Sequence, residues 1–360
     1  MRRLVAGTVV AVALGAAAAT PAAARIPAPS LFGLNTGTFD PNYAHYVRDL
    51  PAARGLGARW VHFTGSLVKA RRGRPDFSLL DSQVAGARRL RLGVLISLGG
   101  APQACSIHPR PSDLSSCPPR SAHDLRAYAT YVRTIVRRYR GRVRYYESWV
   151  EPNHRSFWPT GPNAAEYAAV VRVQYRALHA ADPTARLILG GMGGSDLPFL
   201  DAVLRALGGR RTFDLAGAHP YRFPPVAPDV LKNTTLAGGG SAQLDWKGEL
   251  TAAEDLFAAH GYGRPRMWLT EFGWPGSRRG SGAYHLDYTQ QTADLRAAYK
   301  LLRSDSTLRF VQAAFWFNLR DYAPGYQNPD PEFFGHYGLL ENGFARKPAA
   351  AAFRQLARGA

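Results

Sequence analysis

The sequence predicts an α/β fold: a single (β/α)8 barrel over residues 25–360. Three observations lead there. From residue 31 a unit of short apolar strand, polar or Gly-rich loop and amphipathic helix recurs eight times. Strict alternation of the two element types implies parallel strands joined by helical crossovers. About 335 residues remain after the first 24, enough for eight such units in a closed barrel, and no composition shift, linker or low-complexity stretch marks a second domain.

In chain order, residues 1–24 lie outside the fold. "MRR" is a charged start, "LVAGTVVAVALGAAAA" an apolar run and "TPAAA" a small-residue cleavage region, which together read as a secretory signal peptide. The apolar run is short of the roughly 20 residues a membrane span needs, and no later segment supplies one. The strands are expected in "SLFGLN", "ARWVHFTG", "RLGVLISLG", "VRYYESWVE", "RLILGGM", "DLAGAHPY", "RMWLTEFGW" and "VQAAFWFN". Between them, "SAHDLRAYATYVRTIVRRYRG" opens with Ser121 three residues before Asp124, the spacing of a capping box. "NAAEYAAVVRVQYRALHAADP" carries apolar positions three and four apart and stops at a proline. "LDYTQQTADLRAAYKLLRSD" behaves likewise, and "KPAAAAFRQLARG" is the final helix. Two long loops, 222–250 and 321–337, each follow a strand and belong over the barrel mouth.

The formal net charge is +19, and it falls by two, to +17, when Arg2 and Arg3 leave with the signal peptide. The arginines spread over several helices, as in "YVRTIVRRYRGRVR", and no helix-turn-helix, zinc finger or aromatic RNA-binding signature accompanies them. This pattern excludes a nucleic-acid partner and leaves two readings: solvated helix faces, or affinity for an anionic envelope or an acidic polysaccharide. The two cysteines, Cys105 and Cys117, sit in a loop-like stretch. In an exported chain such a pair is expected to form a disulfide; with only His108 nearby the spacing fits no zinc site, and no metal is expected.

Barrels of this kind build their active sites at the C-terminal ends of the strands. Glu151 ends the fourth expected strand in "SWVEPN" and Glu271 the seventh in "LTEFGWP", and Pro152 and Gly273 interrupt the ladder after each. Strands four and seven face each other across an eight-stranded mouth. Two carboxylates placed so, about 5–5.5 Å apart, match retaining glycoside hydrolysis, in which one protonates the leaving oxygen and the other attacks the anomeric carbon. A negative Glu271 is expected to raise the Glu151 pKa and keep it protonated until the nucleophile is consumed.

These residues carry a resemblance. "YYESWVEPN" resembles the strand-four segment of the clan A glycoside hydrolases, usually Trp-Asn-Glu-Pro, and "WLTEFGWP" their strand-seven nucleophile segment. "AHPY" and "FWFNLRD" resemble their strand-six and strand-eight ends, and the match looks closest to secreted bacterial enzymes of the family 39 and family 5 type. The resemblance implies Glu151 as acid/base and Glu271 as nucleophile. It further implies His219 and Tyr221 lining the pocket and Trp316 as a sugar-stacking platform. Asn153 and Trp274, beside the two strand ends, are expected as further substrate contacts, as is His62. Two positions depart from the pattern. Val150 stands where the clan has an asparagine that holds the sugar 2-hydroxyl. His62 stands where many relatives have an arginine supporting the nucleophile; it could bond Glu271, with Arg59, Asn35 or Asn318 compensating.

Duller roles stand beside these. Glu151 could be a helix N-terminal charge, Glu271 an exposed loop acid, and His219 and Tyr221 a bonded pair at the rim. Glu147 shares the parity of Glu151 and is expected to point into the barrel and pair with an arginine such as Arg59. Trp158, Tyr322, Tyr326, Phe333 and Phe334 lie in or beside post-strand segments and divide between sugar subsites and loop packing. His45, His179 and His260 read as ordinary helix residues. No Gly-rich phosphate loop, Gly-x-Ser-x-Gly elbow or His-Glu-x-x-His helix is present, and no cofactor is expected. The expected partner is a carbohydrate. The rivals are a carbohydrate-binding barrel without catalysis, motivated by Val150 and His62, and a surface protein whose basic charge is its function.

Overall fold

A computed structural model describes residues 25–36, 43–63, 68–71, 74–100, 117–278, 286–322 and 335–359. The strands of the main sheet are β1 (Gly33–Asn35), β2 (Trp60–Phe63), β3 (Gly93–Ser97), β4 (Tyr145–Glu147), β5 (Arg186–Ile188), β6 (Ala216–Ala218), β7 (Met267–Phe272) and β8 (Val311–Trp316). They run parallel in the order 5-4-3-2-1-8-7-6. Single parallel bridges, Ile188 to Leu215 and Gly193 to His219, bring β5 to β6 and nearly close the ring. The expected (β/α)8 barrel is therefore the observed fold.

Among the described residues the helices are α1 (Tyr43–Gly55), α2 (Ser78–Arg89), α3 (Ala122–Tyr139), α4 (Ala164–Ala181), α5 (Leu197–Leu207), α6 (Trp246–Ala259), α7 (Tyr288–Ser304) and α8 (Pro348–Arg358). The capping box read from the sequence forms: Ser121 and Asp124 exchange both of its bonds at the start of α3. Asn163 and Asp287 cap α4 and α7 by accepting from backbone N–H groups. No helix among the described residues is long and apolar enough to cross a membrane.

Apolar side chains fill two layers. Trp60, Leu95, Ile188, Trp268, Ala313 and Phe315 plug the lower lumen, and Trp60 Nε1 donates to Ala28 O at 2.7 Å, tying the N-terminal segment beneath the barrel. The larger layer lies between strands and helices and includes Leu269, Phe272, Trp274 and Trp316. The 222–250 segment is less irregular than its sequence suggests. It carries an antiparallel hairpin, Lys232–Thr235 with Ser241–Leu244, and buried Arg222 anchors it by donating to the carbonyls of Ala227, Val230 and Leu244. Residues 1–24, Cys105, Tyr326, Phe333 and Phe334 lie outside the described residues, and with them the expected signal peptide and the expected partner of buried Cys117.

Candidate active site

The mouth of the barrel brings Glu151 and Glu271 together, each by a local irregularity. In β7 the pairing with β8 advances three residues, Leu269 to Phe272, while β8 advances two, Ala314 to Trp316. The extra residue is a bulge, and it turns both Thr270 and Glu271 into the lumen where strict alternation would allow one. Glu271 is buried, and Tyr221 Oη donates to its Oε2 at 3.0 Å. Strand β4 ends at Glu147, four residues earlier than expected, and the chain then bends so that Glu151 takes a positive φ of 41°. Its side chain leans over Gly193, where an added Cβ would lie 2.8 Å from the carboxyl carbon. Oxygen atoms of Glu151 and Glu271 and a ring nitrogen of His219 all lie within 4.8 Å of one another.

Beneath the pair sits a buried polar floor. Glu147 is fully buried and accepts from Ser97 Oγ at 2.5 Å, Thr270 Oγ1 at 2.6 Å and Gly191 N at 3.4 Å. His62 Nε2 lies 3.2 Å from one Glu147 oxygen and His219 Nε2 3.5 Å from the other. Thr270 has one hydroxyl hydrogen and spends it on Glu147, so its oxygen accepts from His219 Nε2 at 3.0 Å. His219 Nδ1 reaches Glu151 Oε1 at 3.1 Å and stands 3.8 Å from Glu271 Oε2. Gly191 is the residue this floor requires, because a Cβ there would fall 2.2 Å from the His219 ring.

The ionisation pattern follows from these contacts. Burial, aided by the charge of Glu151 and opposed by His219, pushes the Glu271 carboxyl up to about 7. Burial alone would lower the His219 imidazole, but the charge of Glu271 and the bonds and charges of Glu147 and Glu151 hold it well above the ordinary histidine range. Burial would raise Glu147, yet His219 and His62 outweigh it and keep that carboxyl well below the usual carboxylate range. Glu271 is the deeper of the two carboxyl groups, which is why burial dominates its shift. Its side chain is 8% exposed against 17% for Glu151.

Several expected contacts are corrected. Trp316 is not a platform: Phe315 points into the lumen, so Trp316 points out of the barrel, is fully buried and donates from Nε1 to Tyr337 O at 3.1 Å. Trp274 packs in the same outer layer against Trp246 and Trp316 and donates to Val226 O at 2.8 Å. His62 does not bond Glu271; its Nδ1 lies 3.3 Å from Thr270 O and its Nε2 2.7 Å from Ser97 Oγ, beside Glu147. Asn153 uses both ends of its amide on the β5–α5 loop, exchanging bonds with the Gly193 backbone at 3.0 and 2.9 Å. Glu147 points inward as expected but meets two histidines. Arg59 is exposed just before β2, at the opposite end of that strand from the site. Asn35 donates to Thr270 O at 3.1 Å, and Asn318 Oδ1 accepts from Leu319 N at 2.8 Å. Trp158 is buried and bonded to Glu166.

His219 and Tyr221 lie beside the two glutamates, bonded to Glu151 and Glu271 respectively. The sequence reading missed Phe317, which closes an aromatic wall with Tyr221 and Tyr337 at centroid distances of 6.1 and 6.0 Å. The signal was available: with Phe315 inside, Phe317 follows it by alternation. Glu151, His219 and Glu271 stand close enough to share an ion. Both His219 nitrogens, however, already have hydrogen-bond partners, Thr270 Oγ1 at 3.0 Å and Glu151 Oε1 at 3.1 Å. Proton transfer and nucleophilic attack are the chemistry this arrangement suits.

The fold is that of solved glycoside hydrolases. It matches a family 39 glycoside hydrolase from the gut symbiont Bacteroides cellulosilyticus WH2 with a TM-score of 0.70 and 21% identity, over 92% of this chain and 64% of that one. A monomeric β-xylosidase from Caulobacter crescentus CB15 matches with a TM-score of 0.61 and 19% identity, over 92% and 69%. An exo-β-1,4-mannosidase from Opitutaceae bacterium strain TAV5 matches with a TM-score of 0.63 and 18% identity, over 94% and 61%. The clan A resemblance is thereby borne out at the level of fold. The chain spans 64% of the length of the Bacteroides enzyme. No protein-family model and no curated protein sequence matches it.

Proposed function

We propose that the protein is a retaining glycoside hydrolase acting on a β-glycoside, with Glu271 as nucleophile and Glu151 as acid/base. The observation that carries this reading is the approach of the two carboxyl groups, with oxygens inside 4.8 Å over a buried floor. That spacing suits attack and protonation on opposite faces of one bond and leaves no room for the water an inverting enzyme places between its carboxylates. Three of the neighbours named for an activity, a β-xylosidase, an exo-β-1,4-mannosidase and a β-glucuronidase, are consistent with a β-glycoside; a fourth is named only as a glucosidase.

In the first step Glu271 attacks the anomeric carbon while the Glu151 proton passes to the departing glycosidic oxygen. The bond to the leaving group breaks as the glycosyl–Glu271 ester forms. Ionised Glu151 then takes a proton from water, whose oxygen displaces Glu271 and restores both groups. Because Glu271 is pushed up to about 7, the pair still retains a proton just below neutral pH. The productive arrangement places that proton on Glu151, and the Tyr221 hydroxyl favours it by donating to Glu271. Tyr221 keeps its own proton because burial, then the charge of Glu271, raises its pKa well above that of a free phenol. Phe317, Tyr221 and Tyr337 offer ring edges and faces to an apolar sugar face.

The proposal extends to export through residues 1–24, a Cys105–Cys117 disulfide and a catalytic domain over 25–360. The test is a screen of aryl glycosides and polysaccharides with the mature protein beside Glu271→Ala, followed by a 2-fluoro glycosyl inhibitor and intact mass. Hydrolysis lost in the variant and an adduct on Glu271 are expected. Undiminished hydrolysis by Glu271→Ala overturns the assignment. Sugar affinity without adduct or turnover would instead favour the carbohydrate-binding barrel that Val150 suggested.

A further inference from the structure

Glu147 takes no part in the proposed chemistry, yet it is the most heavily bonded carboxylate among the described residues of the site. It is fully buried and has five polar groups around it: Ser97 Oγ, Thr270 Oγ1, Gly191 N, His62 Nε2 and His219 Nε2. A carboxylate so enclosed accepts at both oxygens and has no reason to hold a proton. Through Thr270 it also fixes the direction of a chain of hydrogen bonds. Thr270 gives its hydrogen to Glu147 and so receives one from His219 Nε2. His219 Nδ1 meanwhile faces the carboxylates of Glu151 and Glu271 at 3.1 and 3.8 Å.

We propose that Glu147 is a positioning residue that keeps His219 doubly protonated, so that a buried imidazolium, and not a neutral ring, lies against the Glu151–Glu271 pair. This rests on the glycosidase reading for its kinetic consequence, though not for its ionisation state. The groups facing His219 are Glu147 from β4, Glu151 from the loop after it, Glu271 and the Thr270 hydroxyl from β7, and Tyr221 from its own loop. The β5 loop adds Gly191, with no titratable side chain. The remaining cationic candidate, His62, is turned to Glu147 and to the Thr270 carbonyl. With the imidazolium in place, two carboxyl groups can share a small pocket while one of them ionises near neutral pH. Without it, the second ionisation would have to occur in a buried site holding a neutral ring.

The test uses Glu147→Gln, close in shape and without the charge, and its result has a definite sign. If Glu147 acts only as a nearby negative charge, removing it eases ionisation of Glu271, and the acid limb of kcat/KM against pH moves down. If it acts through His219, the variant loses the imidazolium, and the limb moves up by about one unit or more. We expect the upward shift, with rates about tenfold lower on the acid side. In the 15N spectrum we expect two protonated ring nitrogens of His219 at pH 7 in the wild type and one in Glu147→Gln. A downward shift, or an unchanged His219 in the variant, overturns the proposal. Should Glu147→Gln not fold, the wild-type spectrum decides: a neutral His219 at pH 7 overturns the proposal and a cationic one supports it. If no glycoside is hydrolysed the proposed function fails, while the nitrogen spectra still test this one.

Discussion

Glu271 should make the protein less stable at the pH where it would work. Its carboxyl is pushed from an ordinary 4.5 to about 7, chiefly by burial. Each unit is worth about 1.36 kcal/mol, so keeping the ionised group in the fold costs about 3 kcal/mol. The sign follows from proton counting. Below about pH 4.5 both folded and unfolded chains hold the proton and no cost arises. Between 4.5 and 7 the unfolded chain releases it first, so stability falls as pH rises, and above 7 the full cost applies. Glu271→Gln removes the charge but keeps an oxygen to accept from Tyr221, which bonds Oε2 at 3.0 Å in the parent. The variant is therefore expected to be more stable than the parent by about 3 kcal/mol at pH 8 and nearly equal at pH 4. Urea denaturation at both pH values, comparing midpoints and slopes, measures this. A variant that is destabilised at pH 8, or that differs from the parent equally at both pH values, would refute the reasoning.

Gly193→Ala places a Cβ 2.8–3.0 Å from the Glu151 carboxyl and should lower kcat/KM about a hundredfold, through misplacement of that group, with little change in melting temperature. Phe317→Ala should raise KM for aryl glycosides because it removes part of the aromatic wall. Trp316→Phe, in the outer layer, should leave KM unchanged and cost about 1–3 kcal/mol in urea denaturation. Asp49→Ala removes the carboxylate that Arg320 Nε meets at 2.5 Å in a buried pair, and should destabilise the fold by about 3 kcal/mol or more while leaving the pH profile of activity in place.

The barrel was legible because each strand and helix announces itself locally. Ser121 with Asp124 marks a helix start through its own side chain, the helical segments carry apolar positions three and four apart, and short apolar runs bounded by Gly and Pro alternate with them. Orientation was harder to read. In "FWFN" three aromatics stand in a row on a strand buried on both faces, so hydrophobicity gives no contrast between inside and outside. Trp316 was expected beside the glutamates, but it is Phe317 that joins the aromatic cluster of Tyr221, whose hydroxyl bonds Glu271. Around Glu271 alternation itself fails, because the β7 bulge exists only in the pairing with β8. The partner of Glu147 was equally hidden. His62 and His219 lie 157 positions apart in the chain and meet it because β2, β4 and β6 point into one lumen.

By itself the sequence determined the number and order of the elements and the two glutamates at the mouth, since period, caps and strand-ending Pro152 and Gly273 act over a few residues. Tertiary structure decided which side chains face the lumen, how strongly burial opposes ionisation of Glu271 and what lies beneath it. Those properties depend on depth and on neighbours from other strands, and closure of the sheet creates both.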